Sequence, residues 1–153
     1  MNYENAEKEI KKLLLETENA KICEKIVDFI FEKFEKYNWI GIYIVKRLYL
    51  NLIYWRGEKA TEHTTIPLGM GICGSAAKKG ITEIIPDVNK DNRYLSCFVN
   101  TKSEIVVPIK KNGTVIGEID IDSDIPNAFN DKDSQFLEKI VTNKTFIESV
   151  LNY

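Results

Sequence analysis

Apolar residues recur at helical spacing at both ends of the chain and alternate in between. Over residues 3–16 and 19–36 the pattern predicts two helices. In the second, Ile22, Ile26, Phe29, Ile30 and Phe34 share one stripe. Cys23 lies in that stripe and reads as a core thiol, because an unpaired cysteine packs as a small hydrophobe. From Trp39 the period becomes two. In NWIGIYIV, Ile40, Ile42 and Ile44 form one face, and Trp39, Gly41 and Tyr43 the other. The isoleucine face should pack on helices. The aromatic face with its glycine gap suits either a second core layer or a ligand.

The strand LYLNLIYWRG follows closely enough to pair as a hairpin. A third strand is expected near His63–Pro67, with His63 exposed, before a short helix in GMGICGSAAKKG that ends at Gly80. Thr82 to Thr101 reads as loop, and two strands flank Asn112-Gly113. One closing helix is expected from about Asp131 to Leu151, capped by Asn130 or Asp131. Helices at both ends and an antiparallel sheet between them make the fold class α+β.

The register of the last hairpin decides the chemistry. A two-residue turn at Asn112-Gly113 would set Glu104 opposite Ile121 and mix acids with apolar residues on each face. A three-residue loop, Lys111-Asn112-Gly113, instead gives one wholly apolar face: Ile105, Val107, Ile109, Val115, Gly117, Ile119 and Ile121. Glu104, Val106, Pro108, Ile116, Glu118, Asp120 and Asp122 then share the other. That reading makes Glu104 and Asp120 cross-strand neighbours, with Asp122 two residues further along. Crowded carboxylates repel and raise at least one pKa. A solvated acidic face is the plain alternative.

Composition narrows the class. The 153 residues suit one domain, 1–153, and 44% hydrophobic with 29% charged residues suits a globular protein. A net charge of -2 carries no basic footprint for nucleic acid. The N-terminus lacks a signal-like apolar segment, and no apolar run approaches the ~18 residues of a membrane span. Three widely spaced cysteines do not form a secreted disulfide framework, so the reading is a cytoplasmic protein with reduced thiols.

Cys97 lies seven residues before Glu104, in a loop entering that strand. Carboxylates alone oppose a thiolate there, but a substrate ammonium held by the acids would relieve the conflict. Cys73 falls in the first turn of the short helix, where it is either activated by the helix dipole or a buried contact. Gly69, Gly71 and Gly74 match a dinucleotide fingerprint, but no βαβ unit surrounds them; they fit a tight turn better. His63, Cys73 and Cys97 match no usual zinc spacing and lack a fourth ligand. No metal or other cofactor is expected.

The stretch from Asn38 to the closing helix resembles a GAF domain, and more narrowly the free methionine-R-sulfoxide reductases. The matching pieces are NWIGIYIV, GMGICGSAA, IIPDV, YLSC followed by SEIVVPI, and VIGEIDIDSD with a later Phe-Asn-Asp. The resemblance implies a GAF-like sheet with the terminal helices on one face and a ligand pocket on the other. It implies Cys97 as the nucleophile that becomes sulfenic acid, and Glu104, Asp120 and Asp122 as groups that bind substrate and supply protons. Trp39 and Tyr43 match pocket aromatics, and Cys73 a resolving cysteine. It also implies thioredoxin or another thiol as reductant. EHTTIP departs from the family: it carries His63 near the place where many members have a third cysteine. Without Cys97 in a catalytic role, the same fold would serve as a non-catalytic small-molecule sensor. The stripes of the terminal helices fit either a homodimer or a cover for the sheet.

Overall fold

The computed structural model describes residues 2–96 and 98–153; Met1 and Cys97 lie outside the described residues. Helix α1 (Tyr3–Glu16) starts where the Asn2 side chain accepts from the Asn5 N–H. A short 3₁₀ turn, Asn19–Lys21, then feeds α2, Ile22–Lys33. Six antiparallel strands follow: β1 (Trp39–Lys46), β2 (Tyr49–Gly57), β3 (Thr65–Pro67), β4 (Glu83–Ile85), β5 (Ser103–Lys111) and β6 (Thr114–Ser123). They form one sheet in the order β3-β2-β1-β6-β5-β4. Helix α3 (Gly71–Lys79) lies between β3 and β4 in sequence and ends at left-handed Gly80, as expected.

The sheet separates two apolar clusters. Ile40, Ile42 and Ile44 join Cys23, the α1 and α2 stripes and the closing helices on one face. Trp39, Tyr43 and Val106 pack with α3 and residues of the Ile85–Phe98 segment on the other. The alternation in β1 therefore sorts as expected, and Cys23 is a core thiol, 3.2 Å from the Ser149 hydroxyl. On the first face Asp133 joins three segments. Tyr3, Tyr37 and Lys36 all reach its Oδ1 at 2.6 Å, and the Asn130 N–H donates to Oδ2.

Three expectations need correction. The closing helix is two, α4 (Asp131–Val141) and α5 (Lys144–Leu151). Asn143 breaks it because its side chain accepts from the Thr145 and Phe146 N–H groups, replacing the helical bonds a cap leaves open. Within the expected loop, β4 pairs with β5 over three residues. His63 precedes β3 and is half-buried, because its carbonyl accepts from the Tyr43 hydroxyl at 2.9 Å. Among the described residues no helix is long and apolar enough to cross a membrane.

From Gly117 onward the last hairpin reaches the expected faces by a different device, whereas Val115 and Ile116 exchange faces: Val115 packs on the α3 side and Ile116 on the side of α1 and α2. Asn112 and Gly113 form a two-residue turn, both left-handed (φ 50 and 80), between Lys111 and Thr114. Further on, Ile109 pairs with Gly117 while Lys110 pairs with Val115, so Ile116 is an extra residue, a β-bulge. The bulge restores the apolar face that the turn alone would destroy. It also moves the pairing two residues from the three-residue-loop register: Glu104 faces Asp122, and Asp120 faces Val106.

Candidate active site

Strands β1, β6 and β5 present three rows on the face below α3. Trp39, Asp122 and Glu104 form the first; Gly41, Asp120 and Val106 the second; Tyr43, Glu118 and Pro108 the third. Alternation along β6 sends Glu118, Asp120 and Asp122 to the same side. All four carboxylates are buried, none more than 4% exposed. Helix α3 adds Cys73 above them, and its thiol donates to Glu104 Oε1 at 3.6 Å. The Cys73 sulfur and one oxygen each of Glu104 and Asp120 lie within 4.8 Å of one another.

This is an electrostatically unsettled site. Among the described residues none of the four acids forms an ion pair with a basic side chain. Both oxygens of Glu118, and the Oδ1 atoms of Asp120 and Asp122, are buried without a hydrogen-bond partner among the described residues. Burial, then the charges of Asp120 and Asp122, push the Glu104 pKa well up. Burial and the Asp120 charge do the same to Glu118 and Asp122. Asp120 rises to about 6, again through burial, with hydrogen bonds from Cys73 and Glu104 opposing the rise. Cys73 is pushed well above an ordinary thiol by burial and then by Asp120, Glu118 and Glu104. The helix-dipole activation considered for Cys73 loses to desolvation and like charge.

Aromatic residues wall the site. A Cβ at Gly41 would fall 2.3 Å from Trp39 Cη2, so the glycine gap is taken up by the indole rather than left open. Trp39 stacks on Trp55 with centroids 6.4 Å apart and meets Phe98 at 5.8 Å. Its Nε1–H is buried without a partner. A cleft of about 710 Å³ opens beside this end of the site, shared by Trp39, Phe98, Thr101 and Asp122. Before position 97 the chain is pinned in two places. Arg93 donates to Glu83 at 2.8 Å and to Asp91 at 2.7 Å, and Leu95 lies over Gly71, where a Cβ would clash at 2.9 Å.

The structure thus gathers Trp39, Tyr43, Cys73, Glu104, Asp120 and Asp122 on one side of the sheet, with Trp39 and Asp122 also lining the cleft. Cys97 lies outside the described residues; its neighbours Ser96 and Phe98 contact His63 and Trp39. Glu118 was placed on the acidic face by alternation but not counted with the site. Its signal was present in the same period-two pattern that gave Asp120 and Asp122. Chemically, the pocket suits a ligand that brings positive charge or several N–H donors. Any acid kept protonated in it can also donate a proton.

Comparison with known proteins bears on the family and the fold. The GAF domain model matches residues 19–143. The free methionine-R-sulfoxide reductase of Saccharomyces cerevisiae is 41% identical over 107 residues, 67% of this chain and 58% of that protein. The Escherichia coli free methionine-R-sulfoxide reductase is 31% identical over 124 residues, 81% of this chain and 74% of that protein. The free methionine-R-sulfoxide reductase of Neisseria meningitidis, solved in complex with its substrate, superposes with a TM-score of 0.89 at 29% identity. That match covers 99% of this chain and 92% of the other.

Proposed function

The chain belongs to the GAF family and, within it, to the free methionine-R-sulfoxide reductases, and from that premise we propose that it reduces free methionine-R-sulfoxide through Cys97. The observation that carries the proposal is the set of four buried carboxylates with no basic side chain paired to them among the described residues. A free amino acid brings an ammonium, which a peptide-bound methionine lacks. Placed among Glu104, Asp120 and Asp122, that ammonium relieves their repulsion and favours their charged forms. The requirement for the free amino acid follows from this electrostatic need.

In the first step the Cys97 sulfur attacks the sulfoxide sulfur. A protonated carboxyl of the cluster supports the sulfoxide oxygen as the S–O bond breaks. The net change is Cys97–SH plus sulfoxide giving Cys97–SOH plus methionine: the sulfoxide is reduced to the sulfide and the cysteine is oxidised. Trp39 offers its unpartnered Nε1–H to the ligand, and Tyr43 walls the same side. In the second step Cys73 gives its proton to Glu104 and attacks the sulfenic sulfur. A Cys97–Cys73 disulfide forms and water leaves. An external dithiol such as thioredoxin then restores both thiols.

The test is reductant-coupled turnover of each free methionine sulfoxide epimer, with N-acetylated methionine sulfoxide as the control that lacks the ammonium. Turnover of the free R form, its loss in Cys97→Ser and poor use of the acetylated compound are expected. No turnover of the R form, or full activity in Cys97→Ser, would overturn the proposal.

A further inference from the structure

The pocket holds more potential negative charge than one amino acid removes. A zwitterionic ligand brings an ammonium but also a carboxylate, while the site has four carboxyls and a thiol. Acid clusters alone do not make an ion site. Here, however, both Glu118 oxygens and Asp120 Oδ1 are wholly buried with no hydrogen-bond partner among the described residues, next to a sulfur. The geometry is specific. Cys73 Sγ stands 3.6 Å from Glu104 Oε1. A tetrahedral zinc with a metal–sulfur bond of about 2.3 Å and a metal–oxygen bond of about 2.1 Å separates those two ligands by roughly 3.6 Å. The Asp120 oxygen lies within 4.8 Å of both.

We propose that Cys73, Glu104 and Asp120, completed by Glu118, form a binding site for a borderline-soft divalent cation of the zinc class. The mixed sulfur and oxygen donors select against calcium and magnesium, which take oxygen alone. Binding exchanges protons for metal: the Cys73 S–H bond is replaced by a sulfur–metal bond and its proton leaves to solvent, with no electron transfer. This ligand set shares only Cys73 with the combination of His63, Cys73 and Cys97 and draws its other ligands from the acids of β5 and β6. Metal and substrate ammonium would compete for Glu104 and Asp120, so the cation acts as an inhibitor; this last step rests on the proposed function.

The test is cadmium titration of the Cys97→Ser variant, followed by the ultraviolet thiolate-to-cadmium charge-transfer band. One equivalent should develop the band, and zinc should displace it. Cys73→Ala in the same background should abolish the band. Asp120→Asn and Glu118→Gln should each weaken apparent affinity at least ~10-fold. No band, a band that survives Cys73→Ala, or unchanged affinity in Asp120→Asn would overturn the site. If Cys73→Ala does not fold, Cys73→Ser replaces it under the same criterion. Free methionine sulfoxide should suppress the band. A cadmium band that ignores it leaves the metal site standing and overturns the placing of substrate among these acids.

Discussion

Glu104 faces Asp122 directly across the β5–β6 ladder, both buried, with no basic side chain paired to either among the described residues. Like charges at opposed positions destabilise a sheet. The pair is held in place by the apolar face beneath it, where Ile105 meets Ile121 and Val107 meets Ile119. The ligand-free fold thus carries an electrostatic cost that a cationic ligand can relieve.

Stability without ligand should fall as pH rises from 4 to 7. Asp120 has a folded-state pKa of about 6 against an ordinary 3.8, so its folded form holds the proton more tightly. Its favourable contribution is complete below pH 3.8 and is lost as pH rises through about 6. The loss is ~3 kcal/mol from this group, at 1.36 kcal/mol per unit. Glu104, Glu118 and Asp122 act in the same sense. Hydrogen bonds from Arg93 and Lys90 lower Glu83, Asp87 and Asp91, so their effect falls in the separate window below about pH 4. Urea unfolding across pH should show the slope, and Asp120→Asn should flatten it. A flat wild-type profile between pH 4 and 7 contradicts the charge assignment.

Cys73 should react slowly with iodoacetamide in the native protein at pH 7. It is 7% exposed, and burial and three nearby carboxylates keep it protonated. Labelling at least ~10-fold slower than for the unfolded chain is expected, since only the thiolate is the nucleophile. Mass spectrometry of the Cys73 peptide measures this. Rapid native labelling would mean that the cluster does not hold the proton on sulfur.

Hydrophobic periodicity made the architecture and much of the site legible. The isoleucines of β1 and the apolar positions of β5 and β6 fixed which side chains go inward, and the acids followed on the other face. The two-residue displacement in the hairpin was not legible. A Gly113-centred loop and a turn plus bulge at Ile116 sort the residues from Gly117 to Asp122 to the same faces and differ only at Val115 and Ile116, both apolar, so the pattern cannot separate them. What separates them is a tertiary contact. A Cβ at Gly117 would fall 2.3 Å from the Tyr43 carbonyl oxygen, so β1 and β6 approach closely beside the bulge. Likewise β4 is too short to show a period, and the break at Asn143 is decided by one side chain.

Gly41→Ala should damage the site more than the fold. The added Cβ meets the far end of the Trp39 ring at 2.3 Å, so the indole must leave its place between Trp55 and Phe98. Overpacking of this kind costs about 1–3 kcal/mol. Displacing a pocket wall by about an ångström should cost on the order of 10²-fold in kcat/KM for the free sulfoxide. Chemical denaturation and steady-state kinetics on one preparation separate the two effects. Unchanged kcat/KM would remove Trp39 from the binding wall.

Glu118→Leu should stabilise the protein near neutral pH. The wild-type carboxyl is fully buried and neither oxygen has a hydrogen-bond partner among the described residues, so folding strips its hydration without replacement. An apolar side chain of similar size removes that penalty, worth about 1–3 kcal/mol. It also removes the Glu118 contribution to the raised Cys73 and Glu104 pKa values, which lowers both. Cys73 should therefore label faster in Glu118→Leu than in wild type. The gain should shrink toward pH 4, where wild-type Glu118 is protonated in folded and unfolded states alike. Destabilisation by Glu118→Leu at pH 7 would show that this carboxyl has a favourable partner when the protein is in solution, and a bound cation is the candidate to assay first.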